Sequence, residues 1–81
     1  MFELLKEVVT LCVKITQGSK ADVFFEYSGH INRFDVRVYK NAWEEHTDPE
    51  YICFFGAMDE KTMTYARDKL LELAKELNVE I

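Results

Sequence analysis

The sequence is poor in residues that interrupt or cross-link a chain, with one proline, three glycines and two cysteines among 81 residues. This composition excludes a Pro/Gly-rich disordered chain and a multi-disulfide scaffold. No apolar run approaches the ~20 residues of a membrane span, and no basic-then-apolar start indicates a signal peptide. We therefore expect a cytoplasmic protein in which Cys12 and Cys53 are buried free thiols.

Positive charge is also scarce. Ten lysines and arginines face fifteen aspartates and glutamates, which gives a net charge of -5 and a pI of about 4.9. This balance disfavours a nucleic-acid module that works by neutralising phosphates, and it permits binding to a basic surface. With 48% hydrophobic residues the chain is long enough for one core, so we expect a single domain over residues 1–81.

The sequence contains no glycine-rich phosphate loop, no C-x-x-C pair and no Ser-His-Asp order. We therefore expect no enzyme activity and no cofactor. An acidic segment, residues 44–50, contains His46 and offers oxygen ligands to a divalent cation, but it lacks EF-hand spacing, so a solvated loop without metal is the preferred interpretation. His30 is interpreted as a polar turn residue.

Residues 21–40 predict a β-hairpin, because apolar and polar residues alternate in two runs around Gly29 and His30. Glycine at the first loop position favours a two-residue type II′ turn. That turn sets a register with three apolar pairs on one face: Phe25 with Phe34, Val23 with Val36, and Ala21 with Val38. It also sets two charge pairs on the other face: Glu26 with Arg33, and Asp22 with Arg37.

Helical spacing predicts two helices. The first covers residues 2–16 and ends at Gly18 in a left-handed conformation. Its apolar stripe is wide enough to require a second partner or nearly complete burial, and includes Phe2, Leu4, Leu5, Val8, Val9, Leu11, Cys12 and Ile15. The second begins after Asp59 as N-cap and ends near Asn78. Residues 51–55 predict a third strand, whose buried face the pattern leaves undetermined.

The element order α-β-β-β-α predicts an α+β fold, a three-stranded antiparallel meander with two helices on one face. This order resembles that of the double-stranded-RNA-binding domain. That family contacts phosphates through a basic cluster at the start of its last helix. Here the corresponding residues 59–62 read Asp-Glu-Lys-Thr, so no binding residue is carried over.

One sheet face is then left uncovered and carries Phe24, Arg33, Arg37 and Tyr39, which together suggest an aromatic and basic platform for bases. The predicted register opposes this, since Asp22 and Glu26 would neutralise the arginines. Trp43, beside the acidic loop, is an interface anchor or a cover for the sheet end, and we hold these alternatives evenly. The predicted partner-binding residues are Trp43, Glu44, Glu45, Asp48, Glu50, Tyr39 and Phe24.

These features favour a small non-enzymatic interaction protein. In size, acidity and absence of motifs the chain resembles small phage or mobile-element accessory proteins, including anti-CRISPR inhibitors. The resemblance implies stoichiometric blocking of a host nucleoprotein, such as a CRISPR effector, whose basic groove would meet Glu44, Glu45, Asp48 and Glu50. The alternative is nucleic-acid or small-ligand binding through the open sheet face. A homodimer through an edge strand, or one burying Phe24, Tyr39 and Phe55, is a further alternative.

Overall fold

Two helices and three antiparallel strands make up the computed structural model, which describes residues 2–41 and 56–81. The elements are α1 (Phe2–Gly18), β1 (Asp22–Ser28), β2 (Arg33–Tyr39), β3 (Gly56–Ala57) and α2 (Glu60–Glu76). The strand order is β1-β2-β3, with both pairings antiparallel. The predicted α+β meander is therefore confirmed. The predicted strand at residues 51–55 lies outside the described residues.

The hairpin register differs from the predicted one by two residues. Phe25 lies opposite Val36 and not Phe34, while Tyr27 takes the position opposite Phe34. A shift of two residues keeps every side chain on its predicted face, because the side-chain period of a strand is two. Alternation in the sequence thus identifies the buried face correctly but cannot distinguish this register from the predicted one. Phe25 and Phe34 still stack diagonally, with ring centroids 5.7 Å apart.

The connection between β1 and β2 is a four-residue loop, Gly29 to Asn32, and the predicted two-residue turn is wrong. Asn32 adopts the left-handed conformation, at φ 49°, whereas Gly29 does not have a positive φ. Asparagine tolerates this conformation better than most residues. The Tyr27 hydroxyl donates to Asn32 Oδ1 at 2.8 Å and so fixes the loop against β1. This tyrosine–asparagine pair replaces the turn that Gly29 suggested.

The core lies between the inner sheet face and the two helices. Alternate residues of β2 are buried, at 0–2% exposure, and they contact one continuous cluster from both helices. The buried residues of α1 are Val8, Leu11, Cys12 and Ile15. Those of α2 are Met63, Ala66, Leu70, Leu73 and Ala74. Both helices therefore pack on one face of the sheet, as predicted.

Helix α1 ends differently from the prediction. Gly18 is the last helical residue and has no positive φ, so it is not a left-handed cap. A Cβ at this position would lie 3.2 Å from Cγ1 of Val79, which follows α2. Glycine here allows the close approach of the two helix ends. Ser19 satisfies part of the helix terminus by donating its hydroxyl to the carbonyl of Ile15 at 2.7 Å.

Helix α2 has the two ends that the sequence predicts. Asp59 caps the N-terminus, since its Oδ1 accepts the N–H of Thr62 at 2.7 Å, and this bond lowers the pKa of the Asp59 carboxyl. At the other end Asn78 adopts a left-handed φ of 58°. Val79 donates its N–H to the carbonyl of Ala74 at 2.9 Å. This is the hydrogen-bond pattern of a Schellman motif.

The left-handed conformation of Asn78 gives a specific stability prediction. Asn78→Ala is expected to lower the free energy of unfolding by about 1–2 kcal/mol, because a Cβ disfavours this conformation and alanine lacks the compensating amide. Asn78→Gly is expected to be neutral or slightly stabilising. Urea denaturation of both variants tests this. Equal losses in the two variants would show that backbone conformation does not determine the effect.

Candidate interaction surface

Only two of the predicted partner-binding residues fall in the described part of the chain, Phe24 on β1 and Tyr39 on β2. The other five lie outside it: Trp43, Glu44, Glu45, Asp48 and Glu50. The Phe24 and Tyr39 rings meet edge to face, with centroids 5.6 Å apart. Phe24 is 39% exposed, whereas Tyr39 is 7% exposed. Phe24 thus presents the accessible surface of the pair, whereas Tyr39 is buried and does not lie on an uncovered face as predicted.

The arginine at the centre of the outer sheet face, the face opposite the helices, is compensated by carboxylates. Arg37 Nη2 lies 3.1 Å from Glu26 Oε2, and its Nε lies 3.8 Å from Asp35 Oδ2. The guanidinium also lies 5.7 Å from the centroid of the Phe24 ring. Neutralisation of this face was predicted, but the predicted pairs, Glu26 with Arg33 and Asp22 with Arg37, are wrong because the register is shifted. Arg33 instead lies opposite Ser28.

A larger apolar surface lies on the other side of β1, in a groove of about 590 Å³ between α1 and β1. Three of its lining residues are well exposed: Phe2 at 75%, Tyr27 at 49% and Val9 at 38%. A depression of about 260 Å³ shares Val9 and Phe25 with it and continues it along α1. We call the combined feature the α1–β1 groove; its lining includes Phe2, Leu5, Val9, Val13, Thr16, Val23, Phe25, Tyr27, Asn32 and Met58.

The groove lies along an open sheet edge. In the described sheet β1 is the outer strand, with β2 on one side only. Val23 donates its N–H to Thr16 Oγ1 of α1 at 3.0 Å, so its peptide group points away from β2. Since backbone direction alternates along an antiparallel strand, the N–H and C=O groups of Phe25 and Tyr27 point outward too. Thr16 closes the start of this edge, and in the described sheet no strand pairs with the part beside the groove.

Amide hydrogen exchange in the free protein tests the direction of these groups. The amides of Phe24 and Glu26 point toward β2, so we expect them to exchange at least about tenfold more slowly than those of Phe25 and Tyr27. Two-dimensional NMR of a sample transferred to D₂O measures the four rates. Comparable protection at all four amides would contradict an open edge on β1.

The sequence contains a general signal for this groove in the apolar residues of α1. The apolar stripe of α1 is wider than one core contact requires, which predicted a second partner or nearly complete burial. Val9 and Val13 are 38% and 48% exposed, so burial is not complete. The edge itself carries no comparable signal, because alternation shows which face of a strand is buried and not which neighbour it lacks.

Cys12 is a core residue, as predicted, with 4% exposure. Burial raises the pKa of its thiol from an ordinary 9.0 to about 12. At neutral pH the thiolate, which is the nucleophile and the metal ligand, is therefore almost absent. The other cysteine, Cys53, lies outside the described residues. The Cys12 thiol therefore has the properties of a core-packing group and not those of a nucleophile or a metal ligand.

Thiol labelling tests this interpretation. In a Cys53→Ser background at pH 8, Cys12 is expected to react with a disulfide reagent at least about a hundredfold more slowly than in the urea-unfolded chain, because a three-unit higher pKa leaves roughly a thousandfold less thiolate. The same shift makes the folded state retain a proton that the unfolded state loses, so stability should fall between about pH 9.0 and 12. Cys12→Ala should lack this component. Labelling at the unfolded rate would show an accessible thiol.

Within residues 2–41 and 56–81 no three histidine, cysteine, aspartate or glutamate side chains converge in a way that would hold a metal ion. In the same ranges neither helix combines the length and apolar character needed to cross a bilayer. No protein-family model, curated protein or solved structure matches the chain.

Proposed function

We propose that this chain is a small, non-enzymatic module that acts by binding another protein. The observation that carries the proposal is the α1–β1 groove, where large apolar side chains remain exposed beside an open sheet edge. Contiguous apolar surface on a small domain is typical of protein contacts. The aromatic lining, with Phe2, Phe25 and Tyr27, belongs to the residue types enriched at such interfaces.

Charge favours a protein partner over a nucleic acid. The net charge is -5, and Arg37 on the outer sheet face is held between Glu26 and Asp35. A phosphate backbone would have to displace these carboxylates and approach an acidic molecule. We therefore place the nucleic-acid alternative among the outcomes of the test.

A narrower proposal concerns the kind of partner. The segment with Glu44, Glu45, Asp48 and Glu50 adds acidic side chains to a chain that is already acidic. Such a segment is complementary to the basic surface of a nucleic-acid-binding protein. We propose that the module blocks a host nucleoprotein stoichiometrically, as the resemblance to phage-encoded inhibitors implies. This part of the proposal depends on Trp43 and the acidic segment and not on the groove.

Affinity capture from the source cell, with and without nuclease treatment, tests the proposal. We expect a protein partner that persists after nuclease treatment. Val9→Lys should weaken its capture at least about tenfold, because it places a charge in the groove. Leu71→Lys is the matched control, since Leu71 is also helical and is 39% exposed but lies between α1 and α2.

Charge-reversal variants separate the other interpretations. Loss of the captured protein on reversal of Glu44, Glu45 and Asp48 would support the acidic-segment proposal. Binding that disappears with nuclease, or that depends only on Arg33 and Arg37, would replace protein binding with nucleic-acid binding through the sheet. Equal capture by the Val9→Lys and Leu71→Lys variants would remove the groove from the interface.

A further inference from the structure

We infer that the open edge of β1 binds an extended segment of the partner protein as an additional antiparallel or parallel strand. The side chains of this segment that point away from the helices are basic. The inference rests on the proposed protein-binding function and specifies how the groove is used. It is drawn from three features of β1: its free backbone groups, the groove beneath them and the charge of its outward side chains.

The backbone of β1 offers a short, defined docking length. Thr16 occupies the N–H of Val23, so the outward N–H groups left for an added strand are those of Phe25 and Tyr27. Addition of a strand would pair them with main-chain groups of the partner, which is the common mode of edge recognition. A segment of about five to seven residues covers this length, at roughly 3.3 Å for each residue.

The groove selects alternate side chains of that segment. Directly opposed residues of neighbouring strands point to the same face. Partner residues opposite Phe25 and Tyr27 would therefore point toward α1, into the space bounded by Leu5, Val9 and Met58. This environment requires apolar side chains at two positions separated by one residue.

The intervening residue would lie on the other face, beside Glu26. The charged side chains of β1 are both carboxylates, Asp22 and Glu26, whereas the compensating Arg37 is one strand further in. The Glu26 side chain is 62% exposed and keeps room for a second cation. Charge complementarity therefore favours lysine or arginine between the two apolar residues.

The same charge opposes a second copy of this chain as the occupant. In the register that pairs the outward groups of both Phe25 and Tyr27, a twofold-symmetric antiparallel pairing of two β1 strands would place Phe25 opposite Tyr27 of the other copy. Glu26 would then face Glu26 of the other copy, and directly opposed like charges are destabilising. Each copy also carries a net charge of -5. A heterologous basic segment avoids both penalties.

Selection from a displayed library of random heptapeptides tests the inference without knowledge of the natural partner. We expect enrichment of the alternating pattern apolar–basic–apolar. A synthetic peptide of the enriched sequence should bind Val9→Lys at least about tenfold more weakly than the parent and bind Leu71→Lys normally. Glu26→Gln should reduce the preference for a basic central residue in the peptide. Glu26→Lys should reverse this preference toward an acidic residue and should lower the affinity for the originally selected peptide about fivefold.

Backbone methylation shows whether the peptide binds as a strand. Only alternate N–H groups of an added strand point toward β1. N-methylation at one of two consecutive central residues should therefore weaken binding about tenfold, and methylation at the other should have little effect. Three results would each overturn the inference. The two methylations could weaken binding equally, or the selected peptides could show no preference for the parent over the Val9→Lys protein. The third is a concentration-dependent dimer, seen by sedimentation, that excludes the peptide.

These outcomes are separate from those of the proposed function. If the lysate partner is captured but the edge tests fail, the chain is a protein-binding module that uses another surface, and reversal of Glu44, Glu45 and Asp48 should abolish capture. If no protein is captured although the peptide binds with the expected variant pattern, the edge is a strand-binding site and the inhibitor proposal fails. Circular dichroism of the Val9→Lys and Glu26→Lys variants confirms that each remains folded.

Discussion

Phe34→Ala is expected to lower the free energy of unfolding by about 3–5 kcal/mol, the largest effect of any single truncation in the described sheet. Phe34 is 2% exposed and is one of the largest fully buried side chains. It lies on the central strand, opposite Tyr27 on one side and Gly56 on the other. Its ring also stacks on Phe25, with an interplanar angle of 19°. Alanine would leave a cavity where strands and helices meet.

Chemical denaturation followed by circular dichroism measures this loss. A small domain has a total free energy of unfolding of about 5–15 kcal/mol, so the variant is expected to begin unfolding at low urea concentration. Ile31→Ala is the control, because Ile31 is 53% exposed in the hairpin loop, and its effect should stay within about 0.5 kcal/mol. A Phe34→Ala loss below about 1 kcal/mol would show that this ring does not lie in the core.

The second large effect is expected on α2. Leu73→Ala should lower the free energy of unfolding by about 2–5 kcal/mol, because Leu73 is 0% exposed in the cluster between the helices and the sheet. Leu71→Ala should change it by no more than about 1 kcal/mol, since Leu71 is 39% exposed. The two substitutions have the same chemistry and the same helical propensity cost, so their difference isolates burial.

Thermal unfolding of the two leucine variants gives the comparison directly. For a domain of this size, 1 kcal/mol corresponds to roughly 4–8 °C in Tm. We expect Tm of Leu73→Ala to lie at least about 8 °C below that of Leu71→Ala. Equal values, or the reverse order, would mean that α2 presents a different face to the sheet.

Sequence periodicity was sufficient to predict the inward-facing residues of β2 and α2. Alternation placed Phe34, Val36 and Val38 inside, and helical spacing placed Leu70 and Leu73 inside; all five are buried. These predictions depend only on the period of the side chains, which local backbone geometry determines. The hairpin register could not be predicted in this way, because two pairings that differ by two residues bury the same side chains.

Loop and helix ends show where local chemistry was informative and where it was not. Asp59 acts within its own turn, so its role as N-cap was predictable from its position. Gly18 was assigned to a left-handed cap, yet its role depends on Val79, which lies more than sixty residues later. In the hairpin loop the left-handed residue is Asn32 and not Gly29, and its side chain accepts a hydrogen bond from Tyr27.

The candidate surface was only partly predictable for the same reason. The exposed Phe24 and the compensated Arg37 follow from alternation and nearby charge. The α1–β1 groove combines two elements that are separate in sequence, and its edge depends on the strand order. Helical spacing places Val9 in the apolar stripe, and the packing of α1 on the sheet leaves it 38% exposed.

Addition of a partner segment to the edge of β1 should change the surroundings of the Phe25 and Tyr27 amides. Amide hydrogen exchange of the full chain, measured by NMR with and without the selected heptapeptide, detects this change. We predict that the peptide slows exchange at Phe25 and Tyr27 by at least about tenfold and leaves Phe24 and Glu26, already bonded to β2, little changed. Unchanged exchange at Phe25 and Tyr27 under saturating peptide would contradict the account.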